Sequence, residues 1–385
     1  MKFPLRTFTA LAVVSIVVTS PKALGLVSLE DGRDHVFVDG SFEMGYDSNV
    51  FTNAQSKGSF VYEGSLGTEF TRRAGWIGVN GTVSLDYARY SAFRAQNYQD
   101  PKFTLELTKQ TGRTTGSVTV SLQKENRADV TVNTRDVSWN YDVGVNIQYP
   151  VIERYTISGS LGYDKVAYQD TKLFTDQQMY TANLFLYYVL NEQRDLFVNY
   201  RFRDTEESSN AFFLDNSVTA GVSGRVYGPF NGSLQVGYQT RSPYRDPSNK
   251  DTSGDLSASG SATWNINRRM QLTGNLSRDF STTAQAESVE VTSAGLTFQD
   301  SIAANQSGTL GANFGENRFL GTDGIIEPQG IRRDDWFYSL SASYYYMISE
   351  HLKINFNYIY YRSYSTLAYA EFPRQQINVT LSSHW

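Results

Sequence analysis

The hydrophobic pattern of this chain repeats every second residue from about residue 35 to the end. In the segment 137–149 the odd positions hold Val, Trp, Tyr, Val, Val, Ile and Tyr, and the even positions hold Ser, Asn, Asp, Gly, Asn and Gln. Successive side chains of a β-strand point to opposite faces, so such a segment has one apolar and one polar face. Segments 76–89, 336–347 and 352–362 repeat the pattern. The sequence therefore predicts a protein built from amphipathic strands.

Division of the sequence by this pattern predicts about eighteen strands, most of them 8–14 residues long. A tilted strand crosses a bilayer in about 9–11 residues, so the lengths fit membrane-spanning strands. In 289–299 the apolar positions slip from odd (Val289, Val291) to even (Leu296, Phe298), which predicts a β-bulge. The predicted strands are 35–46, 59–70, 76–89, 101–108, 117–124, 137–149, 155–163, 179–189, 196–203, 214–227, 233–240, 256–264, 270–278, 289–299, 306–314, 336–347, 352–362 and 376–385.

The predicted connections alternate between short turns and longer polar loops. This alternation is typical of bacterial outer-membrane barrels, in which short turns face the periplasm and long loops face outward. We therefore expect a closed antiparallel transmembrane β-barrel with an even number of strands and both chain ends in the periplasm. The short turns are 71–75, 150–154, 191–195, 228–232, 265–269 and 348–351; the longer loops are 47–58, 90–100, 125–136, 164–178, 241–255 and 315–335.

The tryptophans fall where two aromatic girdles of such a barrel would lie. Trp76, Trp264 and Trp385 occupy the ends assigned to the periplasm, and Trp139 and Trp336 lie near the outer ends. This distribution supports the barrel independently of the strand pattern.

The last strand resembles the C-terminal signal that the barrel-insertion machinery recognises. Ile377, Val379 and Leu381 alternate up to the terminal aromatic residue, Trp385. Ser383 departs from the hydrophobic residue usual two positions before the end. The resemblance implies that the insertion machinery is a partner of this chain.

The first residues have the pattern of a secretory signal peptide. A positive start with Lys2 and Arg6 precedes an apolar run over 7–18, and Ala23 and Gly25 supply the small residues of a cleavage site. An N-terminal anchor helix is the alternative, but the run is short and soon meets a proline. The predicted organisation is a cleaved signal peptide at 1–25, a short periplasmic segment at 26–34 and an outer-membrane barrel at 35–385.

Composition excludes several other classes of protein. The chain has no cysteine, so it can carry neither a disulfide scaffold nor thiol chemistry. A mean hydropathy of -0.40 excludes a bundle of membrane helices, and a net charge of -5 gives no reason to expect nucleic-acid binding. Two soluble β-sandwich domains are the alternative to a barrel, but no Pro/Gly/Ser-rich linker follows residue 26.

Few residues fit catalytic or metal chemistry. A hydrolytic barrel needs a histidine base beside a nucleophile at its outer rim, whereas His35, His351 and His384 all map to the periplasmic side. The spaced glycines from Gly308 to Gly315 lack the Lys-Ser/Thr pair of a phosphate loop. We therefore expect no catalytic, cofactor-binding or metal site and no enzymatic activity.

The polar face is predicted to line the lumen. It combines both signs of charge with many Asn, Gln, Ser and Tyr residues, and an eighteen-strand barrel encloses an aqueous channel unless it is plugged. The long loop 315–335 is a candidate to fold inward and narrow the pore, and the acidic run 204–207 is assigned to a solvated loop, with divalent-ion or lipopolysaccharide contact as the alternative. The predicted pore-lining residues are Asp39, Glu43, Asp86, Glu106, Asp142, Arg201, Arg203, Arg225 and Lys353.

A short motif after the first strand resembles the opening of the putative β-barrel porin type 2 family. It consists of Tyr46, Asp47, Asn49 and Phe51, in which the tyrosine would anchor the girdle and the two polar residues would turn the chain. The resemblance implies a barrel over 35–385 and an association with exopolysaccharide production, with polysaccharide export components as partners. Outer-membrane lipid and lipopolysaccharide are the remaining expected partners.

Three functions follow from these observations. The leading hypothesis is an aqueous pore for polar solutes, either a general diffusion porin or a pore for saccharide or exopolysaccharide export. The second is a structural or adhesion barrel with a closed lumen and loops that bind partners. An enzyme at the outer rim is the third.

Overall fold

The computed structural model describes residues 27–29, 34–73, 75–209, 211–244, 252–320 and 332–385. The predicted signal peptide lies outside this part of the chain, as do residues 321–331 of the longest predicted loop. Within the described ranges, no helix is long and apolar enough to cross a membrane.

The described residues form nineteen strands, and the eighteen long ones make one closed antiparallel β-barrel. The strands are β1 (Val27–Leu29), β2 (Asp34–Asp47), β3 (Ser59–Arg72), β4 (Gly78–Tyr90), β5 (Tyr98–Lys109), β6 (Thr115–Asp129), β7 (Thr134–Ile152), β8 (Tyr155–Tyr168), β9 (Gln177–Asn191), β10 (Arg194–Glu207), β11 (Phe212–Tyr227), β12 (Phe230–Pro243), β13 (Ser253–Asn265), β14 (Met270–Thr282), β15 (Ser288–Ala303), β16 (Gln306–Phe319), β17 (Asp334–Met347), β18 (Leu352–Ser365) and β19 (Phe372–His384). Each strand from β2 onward pairs with the next, and β19 pairs with β2 to close the wall. The short β1 pairs with the start of β2. Each predicted segment overlaps one of the strands β2 to β19, so the predicted fold is confirmed.

The wall has an apolar outward face and a polar inward face. Residues directly opposite each other in paired strands share a face, and the registers carry the two faces unbroken around the barrel. On one face Leu66 is 66% exposed, Leu161 63% and Phe314 58%. On the other, Arg201 of β10 meets Asp279 of β14, which can happen only across the interior. The exposed apolar face is therefore the one that lipid would cover.

The connections divide the barrel into two ends, which we call the turn rim and the loop rim. Among the described residues, the turn rim carries 73, 75–77, 110–114, 153–154, 192–193, 228–229, 266–269, 304–305 and 348–351; the loop rim carries 48–58, 91–97, 130–133, 169–176, 208–209, 211, 244, 252, 283–287, 320, 332–333 and 366–371. The last strand ends at the turn rim, beside the start of β2. Trp76, Trp264 and Trp385 lie at the turn rim, and Trp139 and Trp336 lie near the loop rim, as two girdles require.

The terminal residue closes the wall. The backbone N–H of Trp385 donates to the Val38 carbonyl at 3.0 Å, and the Val38 N–H donates to the Trp385 carbonyl at 2.8 Å. The His351 ring stacks on the Trp385 indole with ring centroids 4.3 Å apart. Ile377 and Leu381 face outward, 53% and 41% exposed. The predicted insertion signal therefore lies on the lipid-facing side of the closing strand.

Three local predictions were wrong. The predicted β-bulge in 289–299 is absent, since the pairing of this segment with both neighbouring strands has no register shift. Val289 instead points inward, to a site near the loop rim where it is 2% exposed. The acidic run 204–207 belongs to β10 rather than to a loop. The loop predicted at 125–136 shrinks to 130–133 because β6 and β7 continue pairing through polar residues. Backbone pairing does not require apolar side chains, so hydrophobic patterning ends strands too early.

Candidate pore and its mouth

The nine charged residues predicted to line a pore all lie on the inward face of the barrel. The registers place Asp39 and Glu43 of β2 on the same face as the inward residues of β19 and β3. Asp142 of β7 lies directly opposite Asp164 of β8 on the same face. The others in this set are Asp86, Glu106, Arg201, Arg203, Arg225 and Lys353. Their role in a water-filled pore stays a prediction.

The inward face of β10 to β14 carries a row of paired charges, which we call the arginine wall. Arg201 donates from both terminal nitrogens to the Asp279 carboxylate, at 2.7 and 2.6 Å. Arg203 bridges Asp279 and Asp215, with nitrogen–oxygen distances of 3.3 and 2.8 Å. Arg241 donates twice to Asp215, at 2.7 and 2.8 Å. A buried charge is tolerated only with a close partner, and here each arginine has one.

Three members of this wall escaped the sequence analysis: Arg241, Asp215 and Asp279. Arg241 and Asp279 follow directly after the ends predicted for their strands, at 240 and 278. Continuing the odd-residue parity beyond the last apolar position would have placed both on the inward face. No local signal shows that Asp279 meets Arg201, which lies 78 residues earlier.

The inward face of β2 to β5 is acidic, and we call it the acidic wall. Its carboxylates are Asp39, Glu43, Asp47, Glu63, Glu69, Asp86, Asp100 and Glu106. Glu43 and Glu63 lie directly opposite each other in paired strands. Glu43 accepts a hydrogen bond from the Thr380 hydroxyl at 2.7 Å, and Glu63 accepts one from the Tyr98 hydroxyl at 3.2 Å. No group of three or more His and carboxylate side chains in the described residues is arranged to hold a metal ion.

Two hairpins leave the wall before they reach the loop rim. β6 pairs with β5 only up to Gln123, whereas its pairing with β7 runs on to Asp129. Likewise β14 pairs with β13 only up to Arg278, whereas its pairing with β15 continues to the end of the strand. Each hairpin end is thus released from one neighbour and is free to bend over the lumen.

The two hairpin ends meet above the lumen. Val132, between β6 and β7, packs against a buried group formed by Tyr168, Phe174 and Ala284. Ala284, between β14 and β15, accepts a backbone hydrogen bond from Thr175 at 2.8 Å. Because β8 to β13 lie between the two hairpins, these contacts cross the barrel. We call the three connections 130–133, 169–176 and 283–287 the clasp.

Arg333 ties the clasp to a distant part of the wall. Its guanidinium donates to the Thr131 carbonyl at 2.7 Å and to the Asn133 side-chain oxygen at 3.0 Å. Asp335 accepts from the same guanidinium at 3.0 and 2.5 Å, and both side chains are buried. Residues 321–331, the middle of the loop predicted to fold inward, lie outside the described part of the chain. Arg333, at the end of that loop, does reach inward.

The motif after the first strand fastens the connection 48–58. Asp47 accepts from the Asn49 backbone at 2.9 Å and pairs with Arg374 of β19 at 2.6 Å. Asn49 is fully buried and bonds back to its own loop. The Tyr46 and Phe51 rings pack edge-on against phenylalanine rings, with centroids 5.2 and 5.1 Å apart. The motif therefore holds the loop against the closing seam.

The connection 48–58 also reaches the clasp. The Thr52 hydroxyl donates to the Asp129 carbonyl at 3.1 Å, and the Asn133 amide donates to the Thr52 carbonyl at 3.0 Å. Thr52 is fully buried by these contacts. The connection 48–58, the clasp and Arg333 thus interlock over the lumen.

Comparisons with known proteins agree with this architecture. Residues 215–384 match the sequence profile of the family described as Putative beta-barrel porin 2, which confirms the resemblance over that part of the chain. The match does not include the motif at Tyr46. None of the curated proteins matches the chain.

Two solved structures illustrate the similarity of fold. Pseudomonas aeruginosa OpdK, solved with vanillate, has a TM-score of 0.50 and 10% identity, covering 91% of this chain and 99% of that one. Pseudomonas aeruginosa OccK2, solved in complex with glucuronate, has a TM-score of 0.50 and 9% identity, covering 91% and 98%. At such identities the likeness shows the fold alone.

Proposed function

We propose that this porin-like outer-membrane β-barrel forms a water-filled pore for small polar solutes, narrowed at the loop rim by the clasp. The observation that carries the proposal is the mainly polar inward face of the closed wall, with ion-paired arginines on one side and carboxylates on the other. A barrel of about eighteen strands is wide enough to enclose a channel.

In the orientation we propose, the turn rim and both chain ends face the periplasm of a Gram-negative bacterium. The short turns, the start of β2 and the end of β19 share one rim here, as the turns and chain ends of bacterial barrels do on the periplasmic side. The loop rim then faces outward and contacts lipopolysaccharide. Trp385 and the outward residues of β19 are the surface offered to the insertion machinery.

Small saccharides are the cargo class that we favour, with exopolysaccharide as a variant of it. Most inward positions of β12 and β13 carry hydroxyl or amide groups, and the Gln235 amide donates to the Ser259 hydroxyl at 2.6 Å. Such groups exchange hydrogen bonds readily with sugar hydroxyls. A polymer would have to displace the clasp, whereas a small solute could pass beside it, so polysaccharide export components become partners only if the clasp opens.

A closed barrel that binds partners through its loops is the second candidate. The clasp favours it, because Val132, Ala284 and Arg333 join opposite parts of the mouth. In that case the loop rim would be a binding surface and the lumen would conduct nothing.

We expect no enzymatic activity from either barrel. The matching family is a porin family, and the three histidines lie at the turn rim. His384 is held by Asp39 at 2.5 Å, and His351 stacks on Trp385, so both serve the closing seam.

A planar lipid bilayer separates the two candidates. The purified mature protein should produce stepwise conductance increases, and addition of neutral sugars of increasing size should reduce the current until they no longer fit. A correctly folded barrel that never conducts would favour the closed barrel over the pore.

A further inference from the structure

We propose that the pore prefers monovalent cations and small organic amines over anions, and that the acidic wall sets this preference; the inference rests on the proposed pore. The arginines that would attract anions are already bound to carboxylates. Arg201, Arg203 and Arg241 are engaged with Asp215 and Asp279 at 2.6 to 3.3 Å. The three arginines share two carboxylates, so they leave one net positive charge rather than three on this side of the lumen.

The arginines of this wall also form hydrogen bonds to the hairpin of β14 and β15. Arg203 donates to the Phe280 carbonyl at 2.7 Å, and Arg241 donates to the Ser281 carbonyl at 2.6 Å and to the Ser288 hydroxyl at 2.9 Å. Their donors are thus directed at the protein and not at a passing anion. The role that fits these arginines is to hold the hairpin of β14 and β15 in the lumen.

The acidic wall is different because hydroxyl groups donate hydrogen bonds to several of its carboxylates. Thr380 donates to Glu43, Tyr98 donates to Glu63, and Ser65 donates to Asp86 at 2.6 Å. A hydroxyl donor satisfies a carboxylate oxygen but leaves its negative charge in place.

The balance of charge on these strands is one-sided. Among the inward positions of β2 to β5, the only lysine or arginine is Lys102, against the eight carboxylates of the acidic wall. Of these carboxylates, Asp47 forms an ion pair with Arg374 at the mouth. Arg225 lies at the turn-rim end of β11, away from this band. Lys353 of β18 lies two strands from β2, level with Ser41, so it offsets one of the carboxylates of the acidic wall.

The pairing of Glu43 with Glu63 points to a mobile cation. Like charges directly opposite each other in paired strands repel, and Arg135, which also binds the Asn126 side chain and the Tyr90 ring, offsets only part of this repulsion at Glu63. A cation passing along β2 and β3 would relieve that repulsion. Clefts lined by one sign of charge raise the local concentration of counter-ions about 10-fold or more. The acidic wall should therefore favour cations over anions of equal size.

The test is the reversal potential of the full-length mature protein in a planar bilayer under a KCl gradient. We expect potassium to be about 10 times as permeant as chloride, the lower end of such electrostatic enrichment. The triple variant E43Q/E63Q/E106Q should bring the ratio close to one. The control E153Q/E192Q/E350Q removes the same number of charges from exposed positions in the turns at the turn rim, and should keep most of the preference.

The outcomes are distinct. A channel that conducts but favours chloride, or one whose preference falls equally in both triple variants, overturns the cation preference while the pore stands. A folded protein that never conducts overturns the pore and this inference together. Heat-dependent gel migration of each variant shows whether its barrel has formed before its currents are interpreted.

Discussion

Arg333 is the side chain whose removal tests the clasp most directly. Replacing it alone would leave Asp335 buried and unpaired, so the informative variant is R333M/D335N. The asparagine can still accept the hydrogen bond that Ser365 donates to Asp335 at 2.6 Å. The variant therefore removes the links to Thr131 and Asn133 without stranding a charge.

The size of the effect follows from those two hydrogen bonds. Bonds to a charged group contribute roughly 1.5–3 kcal/mol each, so the two links together contribute at least about 3 kcal/mol. At about 1.4 kcal/mol per tenfold change, the clasp should open on the order of 100 times more often in the variant. The contacts of Thr52 and of the apolar cluster at Ala284 remain, so the barrel itself should persist.

Single-channel recording measures this change. The variant should show longer or larger open events than the wild type at the same voltage. The matched control is R362M/E371Q, which removes an ion pair of 2.6 Å at the same rim that does not cross the lumen. If the Arg333 variant folds and its open events match those of both the wild type and the control, Arg333 does not hold the mouth closed.

Three further predictions concern the barrel. D215A leaves the buried arginines beside it without their shared carboxylate and should lower the stability by about 3–5 kcal/mol, visible as heat-dependent gel migration at a lower temperature. G237A should lower the stability by about 1–3 kcal/mol, and that temperature with it, because the new methyl would overlap a backbone oxygen of the neighbouring strand β11; G64A, which meets only ordinary contacts, should change neither. W385A removes the ring stacked on His351 and should reduce the amount of protein assembled in the outer membrane, whereas normal assembly would show that β19 is recognised without it.

The sequence by itself determined the barrel, the number of its strands and the face of most side chains in them, with Val289 and Val291 as exceptions. These properties depend on the pleat of the strand, which alternates with every residue whatever lies across the sheet. Asp39, Glu43, Arg201 and Lys353 were therefore assigned to the inward face from parity alone. Strand ends were less well predicted, because pairing between β6 and β7 continues through polar residues to Asp129.

Only the tertiary structure decided how the mouth is arranged. Arg201 finds Asp279 78 residues away, and Arg333 finds Asn133 at a separation of 200 residues. No local pattern encodes such pairs, because they depend on which hairpins leave the wall and how far they bend over the lumen. The pleat fixed which residues face inward, whereas the curvature of the closed wall and the reach of each side chain fixed which of them meet.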